Sequence, residues 1–499
     1  LTGNGINTGK NKDLKVKITG KKTKKEKDPE LKAQFLLSNW PWACILTNFK
    51  FNTYHELIME LRKNDVICEE FEMINKVDIE TYIKIMDLYV VDKMQLNQKI
   101  VFFNQFAKEN PEKIVNYLTE DDYSIQEYGD KYLTVAQATK LVDLIPDSEF
   151  TDLTKKFADT SSGSGSILIA IKNKLMKGLE NIIVNPEQRE KHIIENMIYA
   201  FEIQQRNVIL SKLRYNQNGY SDNVIRVNTL THNITKEFDV IVSFPPIKET
   251  DKFDVFFERQ HGLVKDGGYI VGLNGPNWMI YNSMKNQFFP KMIKINQLEY
   301  LNINSMQKDF IEYSKHTCYF LYRKIKKSHP TKVECMSKNK TIISDVEFDI
   351  DSCIPTVFNS DIQGVFNDVI FNNRVKKFDF SYKKGHYHSK EHNDMIDSDE
   401  LNVDNKHIYT VRVSHNQNTI KYGKPIKSIP DYNQFKVFIS IGTGGLNPWY
   451  DSNCTGTHHA IYNCVDNEQQ AKNLTNILKL KFYQFIIDVT QWSGFNTNT

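Results

Sequence analysis

Phe157-Ala158-Asp159-Thr160-Ser161-Ser162-Gly163-Ser164-Gly165-Ser166, then Phe201-Glu202-Ile203, then Phe238-Asp239-Val240-Ile241-Val242-Ser243-Phe244-Pro245-Pro246-Ile247, are the stretches whose reading decides the fold. Each has the pattern of a buried strand that ends in a turn. A strand stopping at Asp159 and opening into Gly-Ser repeats brings backbone N–H groups close to a ligand, because glycine tolerates the tight geometry. A strand closing on Glu202 leaves a carboxylate at a rim, where ribose hydroxyls find an acceptor. Pro245-Pro246 ends the third strand and stiffens the loop beyond it.

Working outward, strands alternate with helices. Strands are expected at Thr154–Asp159, Met197–Glu202, Val224–Val227, Phe238–Ser243, Tyr269–Leu273, Gln297–Ile303 and His316–Arg323. Helices are expected at Ser166–Met176 and Phe253–Val264, the second ending at Asp266-Gly267-Gly268. This rhythm implies a mostly parallel sheet covered on both faces, with ligands outside the carboxyl ends of the strands.

Taken in order, these motifs resemble the S-adenosylmethionine-dependent DNA N6-adenine methyltransferases of restriction–modification systems, in the gamma-like arrangement of type I modification subunits. That family's glycine motif resembles Asp-Pro-x-Cys-Gly-Ser-Gly-Ser, its acidic turn Phe-Glu-Ile, and its catalytic motif Asn-Pro-Pro-Tyr or Asn-Pro-Pro-Phe. The resemblance implies an α/β fold: a Rossmann-like, mostly parallel methyltransferase sheet, a helical N-terminal domain, and an α+β C-terminal recognition domain. It implies a cofactor site at Thr134, Asp159, Gly163, Gly165, Glu202, Asn228 and Ser243, and a catalytic turn at Phe244, Pro245, Pro246 and Ile247. It further implies S-adenosylmethionine as cofactor, double-stranded DNA as partner, and a restriction or specificity subunit or another protein as a second partner.

The departures fall at the chemistry. Phe244 stands where the family has Asn, whose side chain and the neighbouring prolyl carbonyl accept the two amino hydrogens of the target adenine. Phenylalanine offers no acceptor. Ile247 replaces the aromatic on which the base stacks, Thr160 a proline, Ser162 a cysteine, and Asn228 an acid that meets the cofactor's adenine. Taken on its own, Thr134 reads as the N-cap of the helix that follows. The expectation is a methyltransferase-like chain with an impaired catalytic turn; the alternative is a non-catalytic protein that keeps the fold to hold DNA, cofactor or a partner.

The rest of the chain sets the boundaries. Four segments are expected: a basic flexible tail over 1–28, a helical domain over 29–127, the methyltransferase domain over 128–325, and a recognition-like domain over 326–499. The tail carries nine lysines and reads either as a solvated arm or as one that neutralises phosphates. Helical spacing shows at Tyr54, Leu57, Ile58 and Leu61, and again after Asn110-Pro111. Toward the C-terminus, Lys436 to Asp451 reads as a strand and Gly-rich turn, with another strand near 459–464 and one helix over 467–489. The Gly444-Gly445, Asn447-Pro448, Tyr450-Asp451 and Trp492-Ser493-Gly494-Phe495 pattern resembles recognition domains of related enzymes. Trp449, Tyr450 and Lys436 are the candidate DNA-contacting residues, the two aromatics reading equally as core.

A net charge of +3 gives no global field for nucleic acid. Seven scattered cysteines without a Cys-x-x-Cys pair suit a reducing, cytoplasmic setting, with nucleoid or virion association left open. Leu1 in place of Met points to a start that lies upstream or was processed away, and no membrane span is legible. His386, His388 and His392, and Cys454, His458, His459 and Cys464, lack closed metal-site spacing, so no metal is expected.

Overall fold

The computed structural model describes residues 36–90, 92–116, 118, 132–245, 252–279, 287–304, 317–337, 340–347, 354–370, 406–414, 417–423, 433–440, 447–452, 454–455 and 460–490. The basic tail, the histidines at 386–392, Pro246, Ile247 and Trp492 lie outside these residues. The chain divides into two compact units, Leu1–Asp130 and Lys131–Thr499.

The first unit is helical, with α1 (Trp40–Leu46), α2 (Tyr54–Lys63), α3 (Asp65–Asn75), α4 (Ile79–Tyr89) and α5 (Lys93–Glu109). Helix α2 starts where a capping box forms: the Thr53 hydroxyl accepts from Glu56 N–H, and the Glu56 carboxylate accepts from Thr53 N–H. Its expected apolar stripe, Tyr54, Leu57, Ile58 and Leu61, is buried. Asn110 terminates α5 instead of opening a new α-helix; a short 3-10 turn, Pro111–Asn116, follows it.

The second unit is built on a nine-stranded sheet. Its elements run α6 (Val135–Val142), β1 (Phe157–Asp159), α7 (Ser166–Gly178), α8 (Pro186–His192), β2 (Ile198–Glu202), α9 (Gln205–Tyr215), β3 (Asn223–Arg226) and β4 (Phe238–Ser243). They continue with α10 (Lys252–Leu263), β5 (Val264–Asn274), α11 (Phe288–Ile295), β6 (Asn296–Asn302), β7 (Cys318–Lys326), β8 (Thr331–Ser337) and β9 (Lys340–Val346). The order across the sheet is β3-β2-β1-β4-β5-β7-β6-β8-β9. Strands β3, β2, β1, β4 and β5 are mutually parallel, and β7 lies antiparallel between β5 and β6. The order reverses between β1 and β4, so the carboxyl ends of these two strands flank a topological switch point.

Both faces of the sheet are covered, which is why β1 and β2 are apolar without alternation. Val240, Val242, Val271 and Leu273 face α6 and α7, with Ile167, Leu168 and Ile171 against them. Ile241, Ile270, Phe320 and Tyr322 face the other way, onto Phe257 of α10 and Phe289 of α11.

Three local expectations fail for identifiable reasons. Asp266-Gly267-Gly268 does not separate a helix from a strand; β5 runs through it, with a register shift opposite Phe238 and Val240. Gly268 is needed there because a Cβ would sit 2.6 Å from the Asp239 carbonyl oxygen. The sheet also continues past residue 325, since β8 pairs in parallel with β6 and β9 extends it. The single C-terminal helix is two, α13 (Glu468–Leu478) and α14 (Lys481–Thr490), after a short helix α12 (Ser360–Val365) and strands β10 (Lys406–Ser414), β11 (Gln417–Gly423), β12 (Phe435–Ser440), β13 (Trp449–Asp451), β14 (Cys454–Thr455) and β15 (Ala460–Val465). Helix α14 returns to the main sheet, where Val489 joins its core and its carbonyl accepts from Thr356 N–H at 2.6 Å.

Candidate functional site

Strand β1 ends in a turn that glycine alone makes easily. Gly163 and Gly165 have φ of +49° and +82°, the left-handed region where L side chains are strained. Gly165 is also the N-cap of α7, with no side-chain cap, so the first N–H groups of α7 face the turn. Ser162 N–H donates to Phe201 O at 3.2 Å, fastening the turn to β2.

Glu202 completes the rim. Its carboxylate accepts from Gly163 N–H at 2.8 Å and from Gln204 N–H at 2.9 Å, and the residue is only 7% exposed. Beneath it, Asp159 is fully buried and accepts from Ser161 N–H at 3.0 Å. Burial pushes the Asp159 carboxyl up to about 8; the Ser161 N–H works against that shift and the Glu202 charge adds to it.

At the switch point the two strand ends are stitched by hydroxyls. Ser243 Oγ lies 2.8 Å from both Thr160 Oγ1 and Ser161 Oγ. Gln260 Nε2 of α10 donates to Thr160 Oγ1 at 2.8 Å, and Thr229 Oγ1 donates to Thr160 O at 2.7 Å. Thr160 therefore holds β4, α10 and the 228–232 turn in one buried network.

Phe244 follows Ser243 directly. It is half-buried, packs on the apolar cluster of the sheet, and lines one cleft with Tyr132, Leu133, Ser161, Ser162, Gly163 and Ser164. The structure thus gathers Asp159, Gly163, Gly165, Glu202, Ser243 and Phe244 at one edge of the sheet, with Pro245 buried next to Phe244. Thr134 caps α6 in a capping box with Gln137, and its side chain is exposed. Asn228 is exposed too, its Oδ1 accepting from Leu230 N–H at 3.1 Å.

The C-terminal candidates separate. Lys436 is buried at 0% exposure, its Nζ donating to Gln434 O at 2.8 Å. The expectation of a DNA-contacting lysine meets a buried side chain here, in strand β12 between β13 and β15, with Nζ over the Tyr462 ring. Trp449 stacks on Phe438 with ring centroids 5.3 Å apart, and Tyr450 OH donates to Glu468 at 3.3 Å.

Sequence reasoning missed α9 altogether. Arg206, Asn207, Ser211 and Arg214 are buried on its inner side, behind Tyr132 and the glycine turn. The available signal was polar residues at helical spacing between two buried strands, where apolar ones are usual.

The polar groups of the rim suit a ligand that carries hydroxyls. Glu202 supplies the acceptor-only chemistry that ribose hydroxyls require. Asp159 Oδ2 and Ser162 Oγ are buried with no hydrogen-bond partner among the described residues, two polar atoms left over at the floor of the turn. Among the described residues no group of His, Cys, Asp and Glu is placed to hold a metal ion, and no helix is long and apolar enough to cross a membrane.

No family model matches this sequence, and no curated protein does. Solved structures do. The ATP-dependent type ISP restriction–modification enzyme LlaBIII bound to DNA superposes with a TM-score of 0.54 at 9% identity, covering 94% of this chain and 45% of that one. The type IIL restriction–modification enzyme MmeI in complex with DNA gives 0.51 at 9% identity, covering 80% of this chain and 69% of that one. This chain spans less than half the length of LlaBIII. At such identity the likeness is one of fold, and the fold is the Rossmann-like methyltransferase sheet.

Proposed function

We propose that this chain is a DNA-modification methyltransferase homologue that binds S-adenosylmethionine beside Gly163 and Glu202 and engages double-stranded DNA, with transfer to adenine N6 impaired by Phe244. The observation that carries the reading is the shared cleft: Phe244 lines it together with the serines of the glycine turn. When bound, the cofactor supplies an electrophilic methyl group. The chain's part is to present a nucleophilic nitrogen to it. A carboxamide after Ser243 would accept one amino hydrogen and free the lone pair; the phenyl ring accepts none. Losing one such positioned partner costs a factor on the order of 10² to 10⁴ in rate. The Pro245 carbonyl remains as a second acceptor.

The alternative, a scaffold that binds without turnover, draws on the packing of Phe244 against the apolar cluster of the sheet. Methyl transfer from tritiated S-adenosylmethionine to duplex DNA separates the two. Phe244→Asn should raise the rate by about 10²-fold or more if the rest of the site is intact; no gain from a folded variant points to the scaffold. Robust transfer by the unaltered chain would refute the impairment. By the same reading Trp449 and Tyr450 belong to a DNA-facing C-terminal part, and a restriction or specificity subunit is a further partner.

A further inference from the structure

Helix α9 touches both walls of the cleft without lining it. On one side, Tyr132 OH donates to Asn207 Oδ1 at 3.0 Å, and Arg206 Nη2 donates to Tyr132 OH at 3.4 Å. On the other, Arg214 Nη1 donates to the Ser164 carbonyl, to Ser164 Oγ at 3.0 Å and to Ser166 Oγ at 3.4 Å. Between them, Ser211 lies so close that a Cβ on Gly165 would meet its Cβ at 2.7 Å. Asn207, Ser211 and Arg214 stand at i, i+4 and i+7, one face of the helix, and are 2%, 0% and 4% exposed. The C-terminal end of α9 is itself fixed, since Lys172 Nζ of α7 donates to Tyr215 O at 2.7 Å.

If this face served packing alone, apolar side chains would serve as well, because exchanging buried charge for well-packed hydrocarbon is often neutral or stabilising. A guanidinium does something hydrocarbon does not: its Nη1 donates to the oxygens of Ser164 and Ser166 and so fixes where they sit. Here those oxygens belong to the turn whose N–H groups face the cleft and to the first residue of α7. The positive charge also sits behind the N-terminus of α7, adding to the potential that end of the helix already presents.

We propose that Arg214 is a positioning residue for the cofactor turn, and that α9 is the brace setting the separation of Tyr132 from Ser162–Ser166. The proposal rests on the cofactor reading above for its ligand, and on the geometry of α9 for the rest. Arg214 does not line the cleft; it acts through Ser164 and Ser166. Lysine keeps the charge and three N–H donors, methionine keeps bulk and loses both charge and donors, and Asn207→Ala releases the opposite wall.

The test titrates S-adenosylhomocysteine calorimetrically into the full chain and its Arg214→Lys, Arg214→Met and Asn207→Ala variants, beside Ile293→Val, a core change on the other face of the sheet. Hydrogen exchange of the peptide covering 162–167 is followed on the ligand-free proteins. Arg214→Met should weaken binding about ten-fold or more and speed exchange across 162–167. Arg214→Lys should recover most of both, and Ile293→Val should leave both unchanged. A folded Arg214→Met protein that binds as the parent does, or whose 162–167 amides stay protected, overturns the proposal. Should Arg214→Met fail to fold, Asn207→Ala carries the same two readouts from the Tyr132 side, and parental values for it in both overturn the proposal. Should the parent bind nothing, the cofactor reading falls, and exchange at 162–167 alone decides whether α9 is the brace.

Discussion

Replacing Gly165 with alanine should unfold the site from its tightest point. Two costs add there. The backbone sits at φ +82°, where a non-glycine residue is strained by about 1–2 kcal/mol. The new Cβ would then lie 2.7 Å from Ser211 Cβ and 3.0 Å from Ser211 Cα. The second of these is backbone and cannot rotate away, so α9 must shift, at about 1–3 kcal/mol for such overpacking. The sum is about 2–5 kcal/mol, a large share of an ordinary domain's stability. Gly163 provides the internal control. Its φ is +49°, and a Cβ there would meet the Tyr132 ring at 3.5 Å, ordinary contact, so Gly163→Ala should cost only about 1 kcal/mol. Urea unfolding followed by far-UV circular dichroism gives both values. A Gly165→Ala loss no greater than that of Gly163→Ala would refute the close approach of turn and helix.

Other expectations follow from single residues. Asp159, raised to about 8 in the fold from an ordinary carboxylate value, binds a proton in the native state that the unfolded chain has released; its contribution is fully present below the unfolded pKa and lost as pH rises through about 8. Asp159→Asn should therefore flatten the fall in Tm between about pH 4 and pH 8, and an unchanged slope would contradict the burial argument. Tyr300 OH donates to Glu334 at 2.7 Å and accepts from Asn302 at 3.2 Å, so Tyr300→Phe should cost about 1–3 kcal/mol in the same denaturation experiment; a neutral change would mean that the β6–β8 network is not formed. Lys436→Met should leave the salt dependence of DNA binding unchanged, because its ammonium is buried, whereas loss of a phosphate contact would lower the slope by about one.

What could be read in advance followed from how local the determinants were. The strands ending at Asp159, Glu202 and Ser243 carry their own signal, since burial on both faces demands unbroken apolar runs and each stops at a residue hydrocarbon packing would not choose. The parallel order followed from their alternation with helices. Helix α9 was invisible because its inner face is polar: Arg206, Asn207, Ser211 and Arg214 break the apolar periodicity that marks a helix. The run through Asp266-Gly267-Gly268 misled for the opposite reason. Its glycines look like a stop, yet Gly268 is there to let β5 pass the Asp239 carbonyl. Lys436 shows the limit of reading charge as surface, since which face of β12 it takes depends on pairing with β13 and β15. The hydroxyl stitch between Thr160 and Ser243 joins residues 83 positions apart, and no local pattern announces it.

We propose that a nucleoside ligand is held at the edge of this sheet by the carboxylate that also grips Gly163. Calorimetric titration of S-adenosylmethionine into the parent chain and into Glu202→Ala tests it most directly. Saturable binding by the parent, weakened about 30-fold or more in a folded Glu202→Ala protein, is the expected result; no binding by the parent, or equal binding by both, would contradict it.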